Sequence, residues 1–180
     1  ELSLWRELAE IRTEVFGDQA GGIEAWRAVL AAAPTDAQAI AQLETLYENT
    51  QRRQDLVDLY GRKLDLIEDD AQRIETWLLI GTIQQDNLHN TADAAATYRA
   101  ILAQSGGELE ASRRLEVIYE SNGLWQELAG LLDQRNPHLD ADDQLVNLQR
   151  LAQVHEQRLG DLESAFLVLS RANELAPDDT

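Results

Sequence analysis

The chain has 180 residues, 44% of them hydrophobic, with three prolines, ten glycines and no cysteine, and a net charge of −18 from 33 acids against 15 bases. That apolar content argues against global disorder, and the lack of cysteine excludes disulfides, thiolate metal sites and a cysteine nucleophile. The charge argues against nucleic acid or an anionic membrane surface as a partner, because both need a basic face.

Helical periodicity predicts ten helices, over 3–16, 20–33, 36–50, 53–68, 71–88, 91–104, 108–122, 124–135, 142–159 and 162–175. Gly17-Asp18 separates the first two, and Pro34-Thr35-Asp36 supplies a stop followed by an N-cap candidate. Leu43, Leu46 and Tyr47, then Leu56, Leu59, Tyr60 and Leu64, repeat at three- and four-residue intervals, as one apolar face of a helix requires. Ser105-Gly106-Gly107 and Ser121-Asn122-Gly123 end helices, Asn136-Pro137 breaks the chain, and Gly160-Asp161 marks a late turn. No stretch approaches the length of a membrane span, and no signal peptide is present. The chain begins with Glu1 and has no Met. It is therefore expected to be a cytoplasmic piece of a longer array.

Trp5, Ile40, Trp77, Ser112 and Leu148 open five copies of one pattern, each followed three positions later by Leu8, Leu43, Ile80, Leu115 or Leu151. A period of this length denotes stacked helical hairpins, here over 3–35, 36–70, 71–106, 107–140 and 141–177 within a single domain. A longer period is also present. Trp26-Arg27-Ala28-Val29-Leu30-Ala31 lies over Tyr98-Arg99-Ala100-Ile101-Leu102-Ala103 at a 72-residue offset, and Leu43-Glu44-Thr45-Leu46-Tyr47-Glu48 over Leu115-Glu116-Val117-Ile118-Tyr119-Glu120. Gly160-Asp161 and Pro177 fall 143 residues after Gly17-Asp18 and Pro34. The unit is thus a pair of hairpins of alternating flavour.

This pattern resembles the tetratricopeptide repeat. Trp77-x-x-Ile80-Gly81 is similar to the family's opening W-x-x-L-G, with Trp5-x-x-Leu8-Ala9 and Leu148-x-x-Leu151-Ala152 as variants. The small residue of the second helix falls at Gly22, Ala94 and Ala165, the large one at Trp26, Tyr98 and Leu169, and the closing proline at Pro34 and Pro177. These three hairpins carry one extra residue between their helices. The second and fourth depart further, with Glu44 and Glu116, then Leu56 and Leu128, where the family has small residues. The resemblance implies an all-α fold: a right-handed α-solenoid of stacked antiparallel helical hairpins, in the style of long bacterial arrays.

In such a superhelix the first helix of each hairpin lines the concave face. The resemblance therefore implies a partner-binding surface containing Glu10, Glu14, Glu48, Asn49, Thr82, Asp86, Arg113, Glu120 and Glu156. An acidic groove would draw a basic protein or peptide segment and fix its register. The plainer reading leaves these carboxylates solvated. The lysine and asparagine set with which some members clamp a terminal carboxylate is not found here. The leading expectation is a non-catalytic interaction scaffold with no cofactor, able to self-associate through its terminal hairpins, where Phe166, Leu167, Leu169 and Leu175 leave an apolar face. The alternative is a regulatory or sensor segment of a larger enzyme, a protease or kinase, gated by partner binding.

The remaining chemistry-bearing residues have structural readings. His89, His138 and His155 lack metal-ligand spacing, and His155 occupies the packing position of Tyr47 and Tyr119. The acid clusters at Glu68-Asp69-Asp70 and Asp140 with Asp142-Asp143 precede first helices, where carboxylates cap N-termini; Asp178-Asp179 is a third cluster. The tryptophans Trp5, Trp26, Trp77 and Trp125 fall at packing positions between hairpins.

Overall fold

A computed structural model describes residues 2–175. Among these the regular structure is entirely helical. The chain divides into two compact units, 1–90 and 91–180. The first holds α1 (Leu2–Glu10), α2 (Gln19–Ala32), α3 (Ala37–Asn49), α4 (Arg53–Leu64) and α5 (Asp70–Thr82). The second holds α6 (Thr91–Gln104), α7 (Leu109–Ser121), α8 (Trp125–Arg135), α9 (Ala141–Val154) and α10 (Leu162–Leu175). Within each unit consecutive helices pack on one another, α1 on α2, α2 on α3 and α3 on α4, then α6 on α7, α7 on α8, α8 on α9 and α9 on α10. This is the expected all-α solenoid order. No helix among the described residues is long and apolar enough to cross a membrane. The expected closing Pro177 and the Asp178-Asp179 cluster lie outside the described residues.

Three helices end earlier than periodicity predicts. The chain between α1 and α2 winds as a π-helix over Ile11–Val15, and the same happens at Ile83–Asn87 and His155–Leu159. The starts at 11, 83 and 155 are two intervals of 72. These are the three hairpins with an extra residue. The insertion is absorbed by widening the last turn, so the amides of Phe16, Leu88 and Gly160 reach the carbonyls of Ile11, Ile83 and His155, five residues back. A π-turn keeps these carbonyls bonded where a looped-out residue would orphan them. The fourth helix also stops short of the expected residue 68, at Leu64.

The turns repeat as faithfully. Left-handed backbone occurs at Gly17, His89 and Gly160, and again at Gln51 and Gly123, which are 72 apart. Glycine carries no Cβ penalty there, whereas Gln51 bears one of about 1–2 kcal/mol. Gln51→Gly is therefore expected to stabilise the chain by about 0.5–1 kcal/mol, and Gly123→Ala to destabilise it by a similar amount. Denaturant midpoints of the two variants check this, since they should move in opposite directions.

Helix starts follow the sequence expectation. Asp18, Asp36, Asp69, Asp140 and Asp161 each accept a hydrogen bond from the amide three residues on, at 2.8–3.0 Å. Asp36 is the most deeply placed, and Arg6 also donates to it. The Ala39 amide first, and the Arg6 guanidinium second, hold its carboxyl below the usual range. A depressed carboxyl contributes stability above its unfolded pKa of about 3.9, and that contribution is lost as pH falls through the folded value.

The core of the first unit is built on Ile23, Trp26, Val29, Leu43, Tyr47 and Leu56, and that of the second on Tyr98, Ile101, Leu115, Leu128, Leu148 and Leu151. Trp26 is fully buried, as expected; Trp77 and Trp125 are half-buried. Trp5 differs, being 43% exposed. The face of α1 that carries Leu4, Trp5 and Ile11 is open, whereas Thr76 and Ile83, 72 residues after Leu4 and Ile11, are buried. At the other end Phe166 and Leu169 are 70% and 49% exposed, while their counterparts Ile23 and Trp26 are covered. A packing position buries its side chain only where a neighbouring helix supplies the other half of the interface.

Candidate functional site

The exposed sides of the first-type helices carry the candidate partner surface, and each unit has its own. In the first unit α1 and α3 are tied together along this side. Arg6 reaches across to Asp36, and Gln38 donates to Glu10 at 2.8 Å. Glu10 is thus engaged and half-buried. Glu14 sits exposed on the π-turn after α1, and Asp86 occupies the matching place on the π-turn after α5, 72 residues on. Glu48 and Asn49 are exposed at the end of α3, and Thr82 is half-buried at the end of α5. Neither Glu14 nor Glu48 forms an ion pair among the described residues. The π-turns therefore lift acids to the helix ends, a placement that spacing alone does not reveal.

The second unit presents a different surface. Arg113 and Glu120 are exposed on α7, and Glu156 is exposed on the π-turn after α9. Glu120 is neutralised by Arg150 of α9, which also meets Glu116 at 2.9 Å. Beneath them lies a polar network that sequence reasoning missed. Glu116, at a position where the resemblance expects a small residue, pairs with Arg135. Arg135 in turn donates to Asn147 at 2.6 Å, and Asn147 donates to Asn136 at 3.0 Å and to the carbonyl of Leu132 at 2.8 Å. Its only sequence signal was Glu116 itself. The first unit has a simpler version. Glu44 accepts from the Tyr60 hydroxyl at 2.8 Å and lies 3.4 Å from Lys63. Burial, then this bond, push the Tyr60 hydroxyl above its ordinary range.

The 72-residue repeat also builds one cleft twice. Between α2, α3 and α4, Leu30, Leu43 and Leu59 floor a cavity of 320 Å³ with Arg27, Tyr47 and Asp55 at its edge. Leu102, Leu115, Leu131, Arg99, Tyr119 and Glu127 line its counterpart of 470 Å³ between α6, α7 and α8. In the first, Arg27 donates to the Tyr47 hydroxyl at 2.7 Å and pairs with Asp55. That chain of contacts joins three helices, so the first cleft has a structural account as a brace. Two of the histidines have structural places. His138 lies against Gly106 and Gly107, whose missing side chains leave it room, and His155 faces Asp161 at 3.7 Å. Among the described residues no group of three or more His, Asp or Glu side chains is placed to hold a metal ion.

No protein-family model matches the chain, and no curated protein matches its sequence. Solved structures do resemble it. MamA of strain AMB-1 superposes with a TM-score of 0.51 at 16% identity, over 99% of this chain and 93% of that one. MamA from Desulfovibrio magneticus RS-1 gives 0.45 at 14% identity, over 99% and 97%. YrrB, described as a TPR protein with an unusual peptide-binding site, gives 0.48 at 13% identity, over 97% and 86%. The first of these likenesses supports the fold. Helical hairpins stacked in sequence order, with buried small residues at Gly22 and Ala94 and buried large ones at Trp26 and Tyr98, give this chain a tetratricopeptide-repeat fold.

Proposed function

We propose that the chain is a non-catalytic protein-interaction scaffold whose first unit takes a basic segment of a partner on the exposed side of its first-type helices. The observation that carries this reading is the placement of Glu14 and Glu48, exposed and without a compensating cation among the described residues. Uncompensated carboxylates along neighbouring helix ends raise a negative potential that steers and registers a cationic ligand. The net charge of −18 adds to that field. Asn49 and Thr82 flank the acids and supply neutral hydrogen-bonding groups. The open apolar faces of α1 and α10 favour self-association as a second contact of the same scaffold.

The test is binding of a lysine- and arginine-rich peptide to the full chain, followed by fluorescence anisotropy across a salt series. Exposed charge pairs contribute about 0.2–1 kcal/mol each. Glu14→Lys with Glu48→Lys is therefore expected to lower affinity about tenfold and to flatten the salt dependence, with an unchanged circular dichroism spectrum. Equal affinity of the double variant and the wild type would remove this surface as the site.

A further inference from the structure

The two units share their core and differ on one face. Between α3 and α7 the buried residues are kept, with Leu43 matched by Leu115, Leu46 by Ile118 and Tyr47 by Tyr119. The solvent side keeps Glu48 as Glu120 but changes elsewhere. Ala37 becomes Leu109, Ala41 becomes Arg113 and Thr45 becomes Val117. Between α5 and α9, at an offset of 71, Glu75 becomes Val146 and Leu79 becomes Arg150. Ala37, Ala41, Thr45 and Glu75, small or acidic in the first unit, are thus replaced by bulky, apolar or basic residues in the second, and the apolar Leu79 by a basic one. Leu109, Val117 and Val146 are 39%, 57% and 63% exposed. Single exposed apolar residues need no explanation, but a group gathered around cations on an acidic protein does.

The geometry gathers Leu109 and Val146. A cleft of 180 Å³ between α7 and α9 is lined by Leu109, Leu139 and Val146 together with Arg113, Arg135 and Arg150; Asn147 and one carboxylate, Asp143, complete its lining. It adjoins a wider one of 600 Å³ through the shared Val146 and Arg150. The three arginines are not equivalent. Arg135 is committed to Glu116 and Asn147, and Arg150 to Glu116 and Glu120. Arg113 forms no hydrogen bond or ion pair among the described residues, and neighbouring Glu110 is engaged by Arg114 at 3.0 Å. A free guanidinium beside an apolar slot is complementary to a carboxylate next to an aliphatic side chain.

We propose that this face of the second unit is a separate recognition surface, taking an acidic segment of a partner protein in which an aliphatic residue neighbours the carboxylates. The aliphatic side chain enters between Leu109, Leu139 and Val146, and a carboxylate pairs with Arg113. Arg150, already held by two glutamates, walls the slot and contributes no net charge. This surface rests on different residues from the basic-segment site of the first unit.

The test uses acetylated, amidated twelve-residue peptides, so that no terminal charge contributes. One alternates glutamate with leucine, a second glutamine with leucine, and a third lysine with leucine. Each is titrated against the full chain. The expected order at this site is glutamate over glutamine, with Arg113→Glu lowering affinity for the acidic peptide about tenfold. Val146→Ser is expected to lower it about threefold. Both substitutions should leave the lysine peptide's affinity unchanged or raised, whereas Glu14→Lys with Glu48→Lys acts on the lysine peptide. Should Arg113→Glu fail to fold, Arg113→Gln is read in its place. Failure of the acidic peptide to bind, binding of the glutamine peptide with equal affinity, or wild-type affinity in both the Arg113 and Val146 variants would overturn the proposal. Each of these results leaves the first unit's site untouched.

Discussion

Trp26→Ala is expected to destabilise the chain by about 3–5 kcal/mol, the cost of emptying a fully buried tryptophan site. Trp26 has no exposed surface and sits on α2 between α1 and α3, so the loss falls on two interfaces at once. In a repeat protein stability is carried by such nearest-neighbour contacts. The first unit is therefore expected to unfold at lower denaturant, with a broadened or split transition. Trp26→Phe is the informative partner. The indole Nε1 is buried without a hydrogen-bond acceptor among the described residues. An orphaned donor costs about 1–3 kcal/mol, which phenylalanine removes while keeping most of the apolar volume. Its net effect is expected to stay below about 2 kcal/mol. The matching substitution Leu169→Ala, at a half-open site, is expected to cost under about 1 kcal/mol, because little apolar area leaves the interior. Urea melts followed by far-ultraviolet circular dichroism check all three. Equal costs at Trp26 and Leu169 would contradict the assigned interfaces.

Glu116→Ala is expected to cost about 2–4 kcal/mol, somewhat below the figure for a wholly buried pair. The side chains of Glu116 and Arg135 are 12% and 15% exposed, so removing the carboxylate leaves Arg135 desolvated without its counter-ion. Arg150 loses one of its two partners as well. The chain contains its own control. Glu44 and Lys63 occupy the equivalent places 72 residues earlier, but at 29% and 36% exposure. Glu44→Ala is expected to cost less, about 1–2 kcal/mol, because its part-exposed pair with Lys63 contributes little and is screened by salt, which leaves mainly the lost acceptor of the Tyr60 hydroxyl. A double substitution, Glu116→Leu with Arg135→Met, should recover only part of the loss, since an apolar pair of similar volume replaces two buried charges but leaves the buried Asn147 carbonyl without its donor. Thermal melts in low and high salt separate the cases. The Glu44 effect should shrink with salt and the Glu116 effect should persist. A Glu116→Ala variant as stable as Glu44→Ala would show that the network is not desolvated.

The second prediction also bears on function. Arg150 is oriented by Glu116 and Glu120 and walls the slot proposed for an acidic segment. Removing Glu116 loosens Arg150 but also uncovers positive charge beside the slot, so Glu116→Ala is expected to lower stability without lowering affinity for the acidic peptide, whereas in Arg113→Glu binding alone should fall.

The helical class, the hairpin register, the capping aspartates and most buried positions are legible in the amino-acid order, because each depends on residues within about one or two turns of each other. Asp36 and Asp140 cap helices for that reason, and Leu43 and Leu115 are buried because both lie on an apolar stripe. The extra residue of three hairpins was also visible. That it would be taken up as a π-turn, carrying Glu14 and Asp86 to exposed helix ends, depends on how the next helix docks. The Glu116–Arg135–Asn147 network, the open face around Trp5 and the unpaired Arg113 lie further still from local pattern. Each requires knowing which side chains from different helices meet, and whether a neighbouring helix covers them. Burial, pairing and free charge are properties of those meetings, and residue spacing along one helix does not contain them.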